Sequence, residues 1–181
     1  AVLGLTEDKV REICQKASEF GLVEPANFNC PGQIVIGGET KAVEEAAKIA
    51  ESEGALKCVF LPMSTPSHTK LLSSAAKKLR KELDNLFPEP MNIPVISNVT
   101  ADYIKSVQDV KDLLYQQVMK SVLWEQSVRK MIEDGVDHFV EVGPGKTLSG
   151  FVRKIDRNLK VYHVEDITSL EETVSTLRKI N

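Results

Sequence analysis

The sequence predicts an α/β fold in two parts, and three observations predict it. Residues 1–62 carry the order β-α-β-β-α-β in two halves of similar length, the ferredoxin-like split βαβ pattern. Over residues 63–181 the style changes to long amphipathic helices separated by short apolar runs, as in a parallel sheet with helices on its faces. The composition, 42% apolar and 27% charged over 181 residues, is that of an ordinary globular chain, long enough for one large domain or two small ones.

The first part is read from spacing. "AVLGL" reads as a strand. Val10, Ile13, Cys14 and Ala17 then fall at i, i+3, i+4 and i+7, one face of a helix. Gly21 leads into the extended "LVEPANFN", and after the Pro31-Gly32 turn "QIVIGG" is the next strand. Val43, Ala46, Ala47 and Ala50 repeat the helical spacing, Gly54 ends that helix, and "KCVFL" is a strand.

In the second part, Leu72, Ala75, Ala76, Leu79, Leu83 and Leu86 predict a long helix that Pro88 stops. "PVISNVTA" reads as a buried strand running into a turn. A helix from about Val107 puts Val110, Leu113, Leu114 and Gln117 on one face, and another carries Trp124, Val128, Met131 and Ile132 up to Gly135. "HFVEV" and "KVYHV" are strands, with a helix presenting Leu148, Phe151, Val152 and Ile155 between them. Ser169 to Glu172 reads as a capping box opening the last helix. Three strands are few for such a sheet, so its other strands are expected in sequence outside this chain. The start, "AVLGLTEDK", has neither an initiator Met nor a basic leader, and suits a processed chain or a fragment.

Several function classes recede at once. A net charge of −3 does not give the basic footprint of a nucleic-acid binder. No apolar run reaches bilayer length. Cys14, Cys30 and Cys58 lack metal or disulfide spacing, which suggests a reducing, cytoplasmic compartment and no metal site. Cys14 lies on the apolar helix face and is expected to pack in the core.

The chemistry-bearing candidates are few. In "LPMSTPSHTKLL", Thr65-Pro66 fits an N-cap and first helical position, which puts His68 in the first turn of a helix. The positive end of that helix would keep the ring neutral, as a general base must be. By position alone, a surface histidine in a loop of turn formers is the favoured alternative. Gln117 stands where an apolar residue is expected, and a buried amide needs a hydrogen-bond partner; a slight helix rotation would leave it at the rim instead. "EVGPGKTLSG" ends in Gly-Lys-Thr like a phosphate loop, but the glycine required five residues before Gly145 is Val140. Its N–H groups are still candidates to meet an anion at the helix start, although a tight strand-to-helix turn is the favoured reading. Lys77, Lys78, Arg80 and Lys81 form a basic cluster, either a solvated face or a docking patch for an acidic partner. No G-x-S-x-G elbow occurs. His138 and His163 show no acid or thiol partner in sequence and are read as structural.

Taken together, "ANFNCPGQIVIGG", "LPMSTPSHTKLLSSAAKKL", "PVISNVTA", "QQVMKSVLWEQSVRKMIEDGVDHFVEVGPGKTLSGFVRKI" and "SLEETV" resemble, in order, the malonyl-CoA:acyl carrier protein transacylase family of fatty-acid synthesis. The resemblance implies a ferredoxin-like small subdomain, residues 1–62, and the C-terminal part of a hydrolase-like parallel α/β subdomain, residues 63–181. It also implies that the nucleophilic serine in a GHSxG-type elbow, the arginine that clamps the malonyl carboxylate and the oxyanion-hole donors lie in a preceding part not in this chain. His68 matches the family's catalytic histidine. Gln117 matches the residue whose backbone carbonyl accepts the histidine N–H in place of a carboxylate. Ser67 stands at the position tied to choice of acyl group, where many acyltransferases of the superfamily have Phe.

The implied activity is ping-pong malonyl transfer from coenzyme A to the phosphopantetheine thiol of acyl carrier protein, with malonyl-CoA as substrate, no permanent cofactor and no metal. The fragment alone is expected to be inactive. Two other readings stay open: a phosphate- or nucleotide-binding module using "GPGKT", and a non-catalytic docking fragment presenting its lysines to an acidic carrier protein.

Overall fold

The computed structural model describes residues 1–179. It divides into two compact units, Ala1–Ser127 and Val128–Asn181.

The first unit contains the expected split βαβ. Its elements are β1 (Val2–Leu3), α1 (Glu7–Ala17), β2 (Val23–Cys30), β3 (Gln33–Gly38), α2 (Thr40–Ser52) and β4 (Lys57–Cys58). The sheet runs β2-β3-β1-β4, with β1 antiparallel to both β3 and β4 and β2 antiparallel to β3. Each βαβ half therefore skips one place in the sheet, and the other half fills it. β1 and β4 pair over only two residues, shorter than "AVLGL" and "KCVFL" suggested. Gly4, at φ +92, turns the chain out of β1, and its amide bonds Gly32 O instead of continuing the ladder.

The α1 face is as the spacing required: Val10, Ile13, Cys14 and Ala17 are all buried. On α2 the buried set is Ala42, Ala46, Ala47 and Ala50, and Val43 packs at its margin, a slight rotation of the expected face. These small alanines let α2 lie close to the sheet, where Val2, Val23, Phe28, Ile34 and Ile36 complete the core. Burial pushes the Cys14 thiol up to about 12, so it packs as a small apolar residue.

After β4 a loop leads through a 3-10 turn (Lys70–Leu72) to α3 (Ser73–Asp84), and α4 (Val107–Gln117) comes next. α3 ends at Asp84, earlier than the leucine spacing suggested, and leaves Leu86 exposed. "PVISNVTA" forms no strand; it contributes one isolated bridge, Ile96 with Tyr103. Ser106 caps α4 by accepting the Asp109 N–H. No residue of α4 is fully buried, and Leu114 is exposed. Gln117 is half-buried.

α5 (Trp124–Glu133) carries the boundary into the second unit. There β5 (His138–Val142) and β6 (Lys160–Val164) pair in parallel, joined by α6 (Thr147–Ile155), and α7 (Ile167–Leu177) closes the unit. The last helix starts earlier than "SLEE" implied. Its cap is Asp166, which accepts the Ser169 N–H at 2.8 Å, while the Ser169 hydroxyl accepts the Asp166 N–H at 3.0 Å. Ser169 is thus the N3 residue of the box, not its cap.

Candidate functional site

His68 is not in a helix. It lies in the turn before the 3-10 segment at φ +62, a left-handed conformation unusual for a non-glycine residue. The expectation that α3's positive end holds the ring neutral therefore fails. The ring instead meets the carboxyl end of α4: its Nδ1 lies 2.9 Å from Gln117 O, and its own main-chain N–H donates to Val118 O at 3.2 Å. Helix ends leave carbonyls without intrahelical donors, and His68 fills two of them.

That contact assigns the ring. A carbonyl only accepts, so Nδ1 carries the proton, and in the neutral ring Nε2 is the remaining acceptor. Gln117 contributes through its backbone; its side-chain amide takes no part in the contact. The structure thus brings His68 and Gln117 together across 49 residues of sequence.

The loop is anchored on both sides. Thr69 is wholly buried and its hydroxyl donates to Pro66 O at 2.7 Å. The segment after α4 runs beside β2, the sheet edge: Val122 N–H donates to Ala26 O, Phe28 N–H to Val122 O, and Ser121 Oγ to Pro25 O. Sequence reasoning missed this pairing, because a single parallel bridge leaves no alternating pattern to read.

His68 opens onto a cleft of about 280 Å³. Val23, Pro25, Val99, Met119 and Leu123 give it apolar wall, and Arg11, Lys70 and Lys120 give it positive charge beside Glu24. Arg11 is held by Glu7 and lies 4.7 Å from the Phe28 ring centroid. Ser67, directly before the histidine, is half-buried and does not line this cleft.

The basic cluster separates into two groups. Arg80 donates to Asp84 at 2.9 Å and to Asp112 of α4, so it ties α3 to α4. Lys77, Lys78 and Lys81 are exposed on the side of α3 away from the buried Ala76 and Leu83.

In the second unit, N–H groups in and just after "GPGKT" are bonded within the protein. Glu141 accepts from Leu148 N–H at 3.1 Å and Ser149 N–H at 2.8 Å, and Glu165 accepts from Gly145 N–H at 2.9 Å. Burial pushes the Glu141 carboxyl up, but the hydrogen bonds from Ser149 and Leu148 outweigh it and hold it below the usual glutamate range. Three donors of this strand-to-helix turn, the N–H groups of Gly145, Leu148 and Ser149, are thus taken by the protein's own carboxylates, which counts against the phosphate-module alternative. His138 and His163 do have acid neighbours, Asp137 at 2.6 Å and Glu165 at 3.4 Å, contrary to the sequence reading. Among the described residues no group of His, Cys, Asp and Glu is placed to hold a metal ion.

Comparisons with known proteins give the chain its relatives. No family model matches the chain. It is 42% identical over 182 residues to the malonyl CoA-acyl carrier protein transacylase of Bacillus subtilis, covering 100% of this chain and 57% of that one. The crystal structure of malonyl CoA-acyl carrier protein transacylase from Clostridium perfringens superposes with a TM-score of 0.96 at 46% identity, covering 99% of this chain and 57% of the other. A malonyl-transacylase solved in complex with a type II PKS acyl-carrier protein gives a TM-score of 0.94 at 32% identity, covering 97% and 57%. The chain spans a little over half the length of the relatives it matches, and over that span it is homologous to the malonyl CoA-acyl carrier protein transacylases.

Proposed function

We propose that this chain supplies the base half of a Ser-His site that transfers a malonyl group from coenzyme A to the phosphopantetheine thiol of acyl carrier protein, in fatty-acid biosynthesis. The observation that supports it most is the contact between His68 Nδ1 and Gln117 O, in a chain homologous to malonyl transacylases. His68 is the general base and acid, and the Gln117 carbonyl orients it. The serine comes from a polypeptide segment outside these 181 residues, corresponding to the part of the relatives that the chain does not span.

Protons and bonds balance at each step. Nε2 of His68 takes the serine proton while the serine oxygen attacks the thioester carbonyl. The C–S bond breaks, and the coenzyme A sulfur leaves with that proton, giving a malonyl ester. The carrier thiol then yields its proton to Nε2 and its sulfur attacks the ester. The serine oxygen leaves and recovers the proton. At each stage the protonated ring is steadied by the Gln117 carbonyl, the part a carboxylate takes in a Ser-His-Asp triad.

Residues 1–62 form the small subdomain of the enzyme and 63–181 part of the large one. The apolar cleft beside His68 receives the acyl-bearing arm, with Ser67 behind the base. Lys77, Lys78 and Lys81, flanked by Arg80, meet the acidic carrier protein. A relative with a carrier-protein complex supports such a partner. No helix among the described residues is long and apolar enough to cross a membrane, which fits a cytoplasmic enzyme.

The test is reconstitution. The chain is mixed with, or joined to, the serine-bearing part of a relative, and malonyl transfer to holo carrier protein is measured. Transfer should require both parts and be lost in His68→Ala. Turnover by the 181-residue chain alone, or transfer that survives His68→Ala, would overturn the proposal.

A further inference from the structure

His68 occupies a left-handed conformation that is uncommon for a residue with a side chain. Such a conformation persists where surrounding contacts over-determine it. The bond from its N–H to Val118 O and the burial of Thr69 are two of these contacts. The third comes from far back in the sequence. Glu24, on β2, accepts the main-chain N–H of Lys70 at 3.0 Å through Oε2, and its Oε1 lies 2.8 Å from the Lys70 ammonium. The next two residues of β2 hold the other side of the contact. Pro25 O accepts from Ser121 Oγ at 2.6 Å, and Ala26 O from Val122 N–H at 2.9 Å, just after α4 delivers Gln117. Three consecutive residues of one edge strand therefore grip both the loop bearing the ring and the segment bearing its acceptor.

The seat beneath the loop is equally specific. A Cβ at Gly37 of β3 would lie 3.2 Å from Thr69 Cγ2 and 3.7 Å from Ser67 O. The loop rests on the sheet where a glycine leaves room for it.

We propose that Glu24 is a positioning residue. By holding the Lys70 N–H, two residues past His68, it keeps Nδ1 on Gln117 O and so leaves Nε2 as the proton acceptor. Glu24 acts through His68 and not on the reacting atoms, and its importance rests on the reading of His68 as the general base. The main-chain hydrogen bond carries the effect. The Lys70 side chain is 74% exposed, and an ion pair so open to solvent fixes little.

The experiment reads the ring itself, in this chain labelled with 15N, at a pH where its imidazoles are neutral. Long-range 1H–15N spectra show which ring nitrogen carries the proton. Wild type should show a single Nδ1–H tautomer at His68. Glu24→Ala should lose that single-tautomer signature, while His138, His163 and the amide spectrum of the second unit stay as they are. Glu24→Gln, which still offers an oxygen to the Lys70 N–H, should keep it. Lys70→Ala, which removes only the ammonium, should keep it too. Lys70→Pro deletes the donor with Glu24 intact and should reproduce the loss. Proline suits the first residue of this turn, and Thr69 at φ −127 and ψ 162 has the backbone a residue before proline prefers. Lys70→Pro thus decides the matter even where Glu24→Ala fails to fold. A mixed tautomer in wild type, an unchanged His68 in Glu24→Ala or Lys70→Pro, or a loss in Glu24→Gln or Lys70→Ala would each overturn the proposal. No acyl transfer is measured, so this result and the malonyl-transfer result can fail separately.

Discussion

His68 and Gln117, 49 residues apart in sequence, meet with Nδ1 at 2.9 Å from a main-chain carbonyl at the end of α4. The acceptor is a backbone atom, so the contact is indifferent to which side chain stands at 117. Gln117→Ala, on a half-buried helix end, should therefore change stability by no more than about 0.5 kcal/mol and leave malonyl transfer in the reconstituted enzyme close to wild type. Urea denaturation and a transfer assay check both. A large loss would assign work to the amide itself.

Function and stability should part at His68. A positive φ favours glycine over a side-chain-bearing residue by about 1 kcal/mol. His68→Gly should therefore unfold at a higher urea midpoint than His68→Ala. Both should lose malonyl transfer by roughly 10²–10⁴-fold, the usual contribution of a general base. Paired denaturation curves and transfer rates make the comparison.

The Glu141 latch predicts an acid-sensitive second unit. Its carboxyl is held below the usual glutamate range by Ser149 and Leu148 despite burial. A depressed folded-state value means that the stabilisation is complete above the unfolded-state value and is lost as pH falls through the folded one. At neutral pH, Glu141→Ala should cost about 1 kcal/mol, as for a lost helix cap. That difference from wild type should shrink toward acid pH. Denaturation followed by a probe in residues 128–179 at neutral and acid pH measures it.

Because the same N–H groups are already occupied, neither inorganic phosphate nor ATP should raise the thermal midpoint. A rise that Lys146→Ala abolishes would restore the phosphate-loop reading.

The α3 lysines and Arg80 should respond differently. Reversing Lys77, Lys78 and Lys81 to Glu should slow association with acyl carrier protein by about 10-fold or more at low salt, with the difference fading at high salt. Arg80→Ala should instead weaken the α3–α4 pairing through Asp112. Stopped-flow association at two ionic strengths and thermal denaturation separate the two outcomes.

What the sequence alone determined was local and periodic. The i, i+3, i+4, i+7 spacing of Val10, Ile13, Cys14 and Ala17 named the buried face of α1, and the order of elements in residues 1–62 named the sheet that formed. Periodicity works there because burial on one face of one element leaves a repeating mark in the chain. The resemblance of its segments pointed to His68 and Gln117 as well. Tertiary structure decided everything that depends on contacts between distant residues. Thr65-Pro66 looked like a helix start, yet the loop's N–H groups at His68 and Lys70 bond Val118 O and Glu24, and the ring meets the end of α4 and not the start of α3. "GPGKT" reads as a tight turn with an anion site as the rival, and Glu141 and Glu165 take three N–H groups of that turn. Such outcomes turn on single hydrogen bonds between groups far apart in the chain, and single bonds leave no period to read.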